Sequence, residues 1–371
     1  MLFIIGVFMK KVIVIGCPGS GKTTFSEKLN KCIGLPLYHL DAIWHKSDRT
    51  HISREDFDKR IVEIFAEPEW IIDGNYKRTI ETRLKQCDTV FLFDLPTEVC
   101  IQGATERIGK GRYDLPWIET ELDPEFKEFI EEFPKETLPY IYDLLDKYKS
   151  EKEIVVFKSR NDANSYIKHI ELQQYIKKYI LPEYSKNDTG HGIEHINYVI
   201  DRCFCFAEQF ENIDLDMLYT IAAFHDIAHH IDKKNHEILS AKMFFENDEM
   251  KKFFSDEQRI IISEGIEDHR ASANHTPRSV YGKIISSADR STDVIDFLKR
   301  THQYTLKHFP ECSHDEMINR AYQHTLEKYG DNGYAKHYLV DEEYDKFRDE
   351  INNLLNNRNL FEEKYIKINN I

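Results

Sequence analysis

Short β-branched runs recur through the first 157 residues of this chain and then stop. Val12–Ile15, Trp70–Ile72, Thr89–Phe93 and Ile154–Phe157 read as strands, separated by charged amphipathic stretches of helical length. Such alternation predicts an α/β parallel sheet with helices on both faces, because every parallel crossover needs a long connection. Further on, apolar residues recur at helical spacing, as in Leu215, Leu218, Tyr219, Ala222 and Ala223. That spacing predicts an all-α second half. The chain is therefore expected to be multidomain, with domains at 1–172 and 173–371, and its 371 residues suffice for two ordinary cores. The boundary falls within Glu171–Tyr184, a helix-like stretch without a Gly/Ser linker, and the acidic, aromatic residues 119–150 read as helices before the last strand.

Composition narrows the function. The 23 Phe and 20 Tyr exclude disorder of the whole chain. A net charge of -15 argues against a generic basic surface, so no membrane and no nucleic-acid partner is expected beyond what a local basic pocket could hold. Seven cysteines form an odd, scattered set, and Cys203-Phe204-Cys205 is not a zinc ligand pair. Reduced thiols in a cytoplasmic protein follow. The apolar start Met1–Phe8 is too short to span a bilayer and has no positive charge before it, so it reads as an upstream start or a strand extension. Only 4 of the 17 histidines precede Leu172 and 13 follow it, a hint of metal or proton chemistry in the second half.

Gly16-Cys-Pro-Gly-Ser-Gly21-Lys22-Thr23 fits G-x4-G-K-[ST] between a strand and a helix-like segment. Glycines there let backbone N–H groups face phosphate oxygens at a helix N-terminus. Gly16, Pro18, Gly19, Ser20, Gly21, Lys22, Thr23 and Thr24 are the expected contacts for ATP with Mg²⁺, Lys22 reaching the β and γ phosphates and Thr23 the ion. With Trp70-Ile-Ile-Asp73-Gly74-Asn75-Tyr76 and Asp88-Thr-Val-Phe-Leu-Phe-Asp94-Leu-Pro96, the order resembles adenylate-kinase-like P-loop kinases over residues 9–170. More narrowly it resembles the bacterial DNA topology modulation proteins, which have counterparts of Tyr38-His-Leu-Asp41 and Asp73-Gly-Asn-Tyr76. The resemblance implies that Asp73 holds Mg²⁺ through water, that Asp41 orients an acceptor hydroxyl, and that Arg107 and Arg112 are lid arginines closing on the transferred phosphoryl group. Arg78 and Arg83 read either as acceptor-phosphate ligands or as solvated helix charges, and Asp94 as structural. One residue more than in adenylate kinases separates the Asp-Gly pair from the arginine, which argues against a nucleoside-monophosphate acceptor.

In the second half, His191 and His195 precede His225-Asp226, and Asp289-Arg290 follows. This order of His, His-Asp and Asp on a helical background resembles HD-domain phosphohydrolases over residues 174–330, and Asn235–Ala241 and Glu267–Arg270 fit the same family. His195, His225, Asp226 and Asp289 are the expected ligands, a mixed N/O set suited to Mn²⁺, Fe²⁺, Co²⁺, Ni²⁺, Zn²⁺ or Mg²⁺. Asp226 and His191 are the catalytic candidates. His191 shares a helical face with His195 if that helix has begun, and it could bond the nucleophile, protonate a leaving group or stand behind a ligand. His236 and His269 could hold a second metal or bind substrate phosphate, and the reading favours a single metal. One of His229 and His230 faces the site. Arg270, Arg278 and Arg290 read as phosphate binders or ion-pair residues. Many HD domains read His-x-x-Arg-Val at the first ligand, where this chain has His195-Ile-Asn-Tyr198-Val. His302, His308, His314, His324 and His337 fit no ligand pattern.

The leading expectation is a bifunctional enzyme. It joins an ATP-dependent kinase-like domain to a metal-dependent phosphomonoesterase acting on a nucleotide or small phosphorylated metabolite. A nucleotide-sensing P-loop module regulating the hydrolase, a nucleic-acid end-processing kinase–phosphatase and a scaffold with degenerate sites are the alternatives. Helical HD domains often self-associate, so a homo-oligomer is compatible with the sequence.

Overall fold

The computed structural model describes residues 9–112, 114–273 and 275–371, so the apolar segment Met1–Phe8 lies outside the described residues. The chain divides into two compact units between Gln174 and Tyr175.

The first unit runs β1 (Lys11–Gly16), α1 (Lys22–Ile33), β2 (Leu37–His39), α2 (Leu40–Trp44), α3 (Arg54–Phe65), β3 (Trp70–Asp73), α4 (Ile80–Gln86), β4 (Thr89–Phe93), α5 (Thr97–Glu106), α6 (Pro124–Glu136), α7 (Leu138–Tyr148), β5 (Glu153–Phe157) and α8 (Arg160–Tyr175). Five parallel strands lie in the order β2-β3-β1-β4-β5. Every residue of β3 and β4 is buried. Successive strand residues point to opposite faces, so both faces of the central strands are covered. Phe25 of α1 closes one face, its ring meeting Phe91, Phe93 and Phe157 edge-on at 4.9, 5.4 and 5.2 Å. Parallel pairing brings strand ends to a common edge, which places Gly16, His39 and Asp73 together. β2 is the strand that the sequence pattern does not reveal. It has three residues, sits on the sheet edge and is only half-buried, too short to show a period.

The second unit continues from α8 through a π turn (Ile176–Ile180) and a 3-10 segment (Leu181–Lys186). It then runs α9 (Ile193–Ala207), α10 (Leu215–Phe224), α11 (His236–Phe245), α12 (Asp256–Asp268), α13 (Val280–Ala288), α14 (Val294–His308), α15 (His314–Tyr329), α16 (Glu342–Asn356) and α17 (Arg358–Asn369). No strand occurs among its described residues. α10 is buried at every position from Met217 to Phe224 and packs on α9 and α12. The approach to α12 is close enough that a Cβ on Gly265 would lie 2.8 Å from Ile221 Cδ1. α14–α17 build a second core around Phe297, Tyr329, Phe347, Phe361 and Tyr365. Among the described residues, no helix is long and apolar enough to cross a membrane.

Candidate active sites

Because α10 is buried all round, it delivers His225 and Asp226 at its C-terminal end into the interior of the second unit. Asp214 starts the helix, its carboxylate accepting from the N–H groups of Asp216 and Met217. The buried Tyr184 hydroxyl fixes the other end, donating to the Ala223 carbonyl at 3.0 Å and accepting from Asp226 N–H at 3.2 Å. The Asn187 amide donates to the carbonyls of His191 and Asp226 at 2.9 and 3.0 Å. His195 comes from the first turn of α9 and His236 from the first residue of α11. His269 and Asp289 cap the C-termini of α12 and α13.

These side chains form two groups that share Asp226. Asp226 Oδ2 lies 3.8 Å from His195 Nε2 and 3.5 Å from His225 Nε2, and Asp289 Oδ1 lies 3.2 Å from His195 Nε2. The other oxygen, Oδ1, lies 3.1 Å from His236 Nε2 and 3.4 Å from His269 Nε2. Backbone carbonyls set the ring tautomers. His225, His236 and His269 each direct Nδ1 at a carbonyl, of Ala222, Lys233 and Ile266, at 2.8, 3.1 and 2.6 Å. In a neutral ring that arrangement leaves Nε2 a bare lone pair aimed inward. The Nε2 atoms of His236 and His269 stand 3.0 Å apart. Two lone pairs so close repel unless a proton or cation sits with them. His195 Nε2, His225 Nε2 and Asp226 Oδ1 are also buried without a hydrogen-bond partner.

The electrostatics agree. Burial disfavours the charge on Asp226, but the surrounding histidines hold its carboxyl well below the usual range. Burial likewise opposes His225⁺, and the adjoining Asp226 and Asp289 carboxylates outweigh it, pushing His225 up to about 9. Without a metal the cluster holds protons instead. Imidazole nitrogens and carboxylate oxygens converging on buried, unpaired positions fit one divalent ion among His195, His225 and Asp226, and another among Asp226, His236 and His269.

Residues 192–292 match the HD domain family. HD domains are metal-dependent hydrolases, so the match indicates metal-dependent phosphohydrolase chemistry in this unit. No curated protein matched the chain. All six ligand candidates fall inside the HD segment.

Among the other residues singled out in the HD unit, His191 is placed differently from expectation. His191 does not share a helical face with His195. It ends a 3-10 turn (Thr189–His191), and an extended Gly192 separates it from α9. Its Nδ1 meets Asp188 Oδ1 at 2.7 Å, and its ring stacks on the buried His229 ring at 3.7 Å. Lys233 holds the other Asp188 oxygen at 2.6 Å. Burial and the neighbouring His191 pull His229 down to about 4. The His229 ring lies 5.1 Å from that of His236 and so faces the site, whereas His230 turns to Asn187. The three arginines are committed to protein partners: Arg270 to Glu237, Arg278 to Asp268 and Glu267, and buried Arg290 to Ser286, His269 and Lys336. Sequence reading missed Tyr184, Asn187 and Asp188. Only Asp188, an acid three residues before His191, left a visible sign.

In the first unit, residues Pro18 to Thr24 line a cavity of about 950 Å³, together with Asp41, Asp73, Arg107 and Arg112. Gly16 is not on that wall; it is pinned to Asn75, whose side chain bonds both Gly16 N–H and Gly16 C=O. Gly19 (φ +78°) passes so near α5 that a Cβ would lie 2.1 Å from the Cys100 carbonyl oxygen. The residue opposite, Gly103, is equally constrained, its Cβ position lying 2.1 Å from Gly19 O. Lys22 Nζ donates to the Cys17 carbonyl at 2.8 Å. Thr23 Oγ1 donates to Asp73 at 2.9 Å and stands 3.2 Å from Asp114. Asp73 also receives His39 Nδ1 at 3.0 Å, and Asp41 receives the Tyr76 hydroxyl at 2.8 Å. Arg107 and Arg112 both reach Glu119, and Arg112 also pairs with Asp114.

Arg83 is neither a phosphate ligand nor a solvated charge. It is fully buried and donates to the carbonyls of Gly74 and Asn75 and to Thr79 Oγ1, bracing the turn after β3. Arg78 is a half-exposed partner of Asp58. Asp94 bonds Lys158 and Tyr142.

Proposed function

We propose that the chain is a bifunctional enzyme whose HD unit hydrolyses phosphomonoesters at a two-ion centre and whose first unit is a P-loop kinase. The observation that carries the hydrolase is the convergence of three carbonyl-oriented imidazoles and His195 on the two oxygens of Asp226. His195, His225, Asp226 and Asp289 would hold one ion, and Asp226, His236 and His269 the other, in place of the single ion favoured by sequence. Bound there, divalent ions supply Lewis acidity to a phosphoryl group and lower the pKa of water. The chain supplies the rest. Tyr184 and Asn187 fix the backbone at Asp226, and the Asp188-oriented His191 ring presents Nε2 as a proton donor or acceptor.

The kinase reading rests on the glycine-bordered cavity, with Lys22 and Thr23 at the N-terminus of α1 and Asp73 at the adjoining strand end. Pro18, Gly19, Ser20, Gly21 and Thr24 complete the proposed cradle for ATP and Mg²⁺, with Gly16 held behind it by Asn75, Asp41 toward an acceptor and Arg107 and Arg112 over the phosphates. A nucleotide or small phosphorylated metabolite is the proposed substrate. Seven unpaired thiols favour a cytoplasmic setting.

Phosphate release from a panel of nucleotides and sugar phosphates, with Mn²⁺, Co²⁺, Ni²⁺ or Mg²⁺, tests both halves. Loss of release in Asp226→Ala but not in Lys22→Ala supports the hydrolase. ATP-dependent phosphorylation of an acceptor, lost only in Lys22→Ala, supports the kinase. Release that is indifferent to Asp226→Ala would refute the HD assignment.

A further inference from the structure

The cavity of the first unit is chemically uneven. Cations gather around the glycine turn. Arg160 of α8 donates to the Gly19 carbonyl at 3.1 Å, Lys28 of α1 donates to Asn164 Oδ1 at 2.9 Å, and Lys22 opens α1. Away from that turn the lining is rich in carboxylates. Asp41 in α2, Asp73 at the end of β3 and Asp114 all face the cavity, and the last two are buried.

Two of these carboxylates have partners that can carry positive charge, His39 for Asp73 and Arg112 for Asp114. Both also meet Thr23 Oγ1, at 2.9 and 3.2 Å. Asp41 has no such partner. The neutral Tyr76 hydroxyl donates to its Oδ1 at 2.8 Å, and no other side-chain bond or ion pair involves Asp41 among the described residues. Its Oδ2 is therefore left open at the cavity. The Tyr76 backbone is left-handed, with φ 40°, which is uncommon for an aromatic residue and persists only where the surroundings impose it. Arg83 imposes it here by holding the two preceding carbonyls, of Gly74 and Asn75.

A phosphate on the acceptor would need a cation beside Asp41. The turn after β3 offers none. Arg78 is taken by Asp58, Arg83 lies beneath the turn, and the Lys77 ammonium donates to the Glu136 carbonyl at 2.9 Å. Arg107 and Arg112 are held by Glu119, with Lys110 exposed between them in sequence.

We propose that the acceptor of the first unit is an uncharged polyhydroxy compound that carries no phosphate, such as a sugar, a polyol or a nucleoside, and that one of its hydroxyls donates to Asp41 Oδ2. The inference rests on the kinase reading and names its acceptor class. A phosphorylated metabolite is then substrate for the HD unit and not for this one. In the transfer, the acceptor oxygen bonds to the γ-phosphorus of ATP and the bond from that phosphorus to the β–γ bridging oxygen breaks. The hydroxyl proton passes to Asp41 Oδ2, and ADP leaves.

The test uses the full chain carrying Asp226→Ala, so that the HD site does not remove the product, with γ-labelled ATP and Mg²⁺. The acceptors are matched pairs: nucleosides and their 5′-monophosphates, hexoses and their 6-phosphates, polyols and their monophosphates. Transfer is expected to favour the phosphate-free member of the best pair by at least about a hundredfold in kcat/KM, because a second phosphate would face an unpaired carboxylate. Asp41→Asn should lower kcat about a hundredfold or more while affinity for a fluorescent ATP analogue stays at the wild-type value. Equal use of both members, preference for the phosphorylated one, or a wild-type kcat in Asp41→Asn overturns the proposal and leaves the kinase reading standing. No transfer to any acceptor from a chain that binds the ATP analogue overturns the kinase reading, and this inference with it.

Discussion

Replacing Arg83 by methionine removes a guanidinium from the interior while keeping most of its stem volume. In the native unit that guanidinium satisfies the carbonyls of Gly74 and Asn75 and reaches Thr79 Oγ1. Two stranded buried carbonyls cost about 1–3 kcal/mol each. Relief works the other way, because burial already pulls the Arg83 pKa down to about 10 and the charge is costly to keep inside. The net expectation is a loss of about 2–4 kcal/mol, or about 6–12 °C in Tm for a unit of this size. All three tryptophans, Trp44, Trp70 and Trp117, lie in the first unit, so their fluorescence follows its unfolding alone. Phosphate release by the HD unit should be unaffected. A Tm within about 2 °C of wild type, with a raised KM for a phosphorylated acceptor, would refute the bracing role and return Arg83 to substrate binding.

Asp226→Asn removes the carboxylate common to both ligand groups, and both metals should be lost with at least a hundredfold fall in phosphate release, read by metal analysis beside the assay. His269→Ala should leave the His195–His225–Asp226 group intact and lower the metal content from two ions per chain to one; an unchanged count would show that the second group binds none. Metal affinity should rise with pH up to about 9, because below that value the metal must displace a proton from His225; calorimetry in buffers of different ionisation enthalpy measures the release, and a pH-independent affinity would contradict it. Gly103→Ala should weaken nucleotide binding while the sheet still folds, because the new Cβ would collide with Gly19 O and Arg160 Nη2, at 2.1 and 2.2 Å; equilibrium binding of a fluorescent nucleotide checks it.

Where residues obey a local rule, the sequence was readable. β1, β3, β4 and β5 were legible as β-branched runs, and the His225-Asp226 doublet was legible as the end of an apolar run. What escaped depends on contacts made across the fold. Arg83 looks like any helix arginine until the turn after β3 closes over it. The pairing of His236 with His269 depends on α11 and α12 meeting, which no spacing rule encodes. His191 misled because helical periodicity assumes an unbroken helix, and Gly192 breaks it.

The bonds that cross residue 292 bear on modularity. A fragment ending with the HD segment would leave Arg202 without Asp341 and Glu343, Ser287 without Tyr338, and Arg290 without one of its three anchors. Asp289 sits between Ser287 and Arg290, so the cut would loosen a candidate ligand from behind. The stretch that matches the family is thus shorter than the stretch whose side chains hold one another. Transplanting the candidate metal centre into another protein would call for carrying the segment Lys336–Glu343 with it.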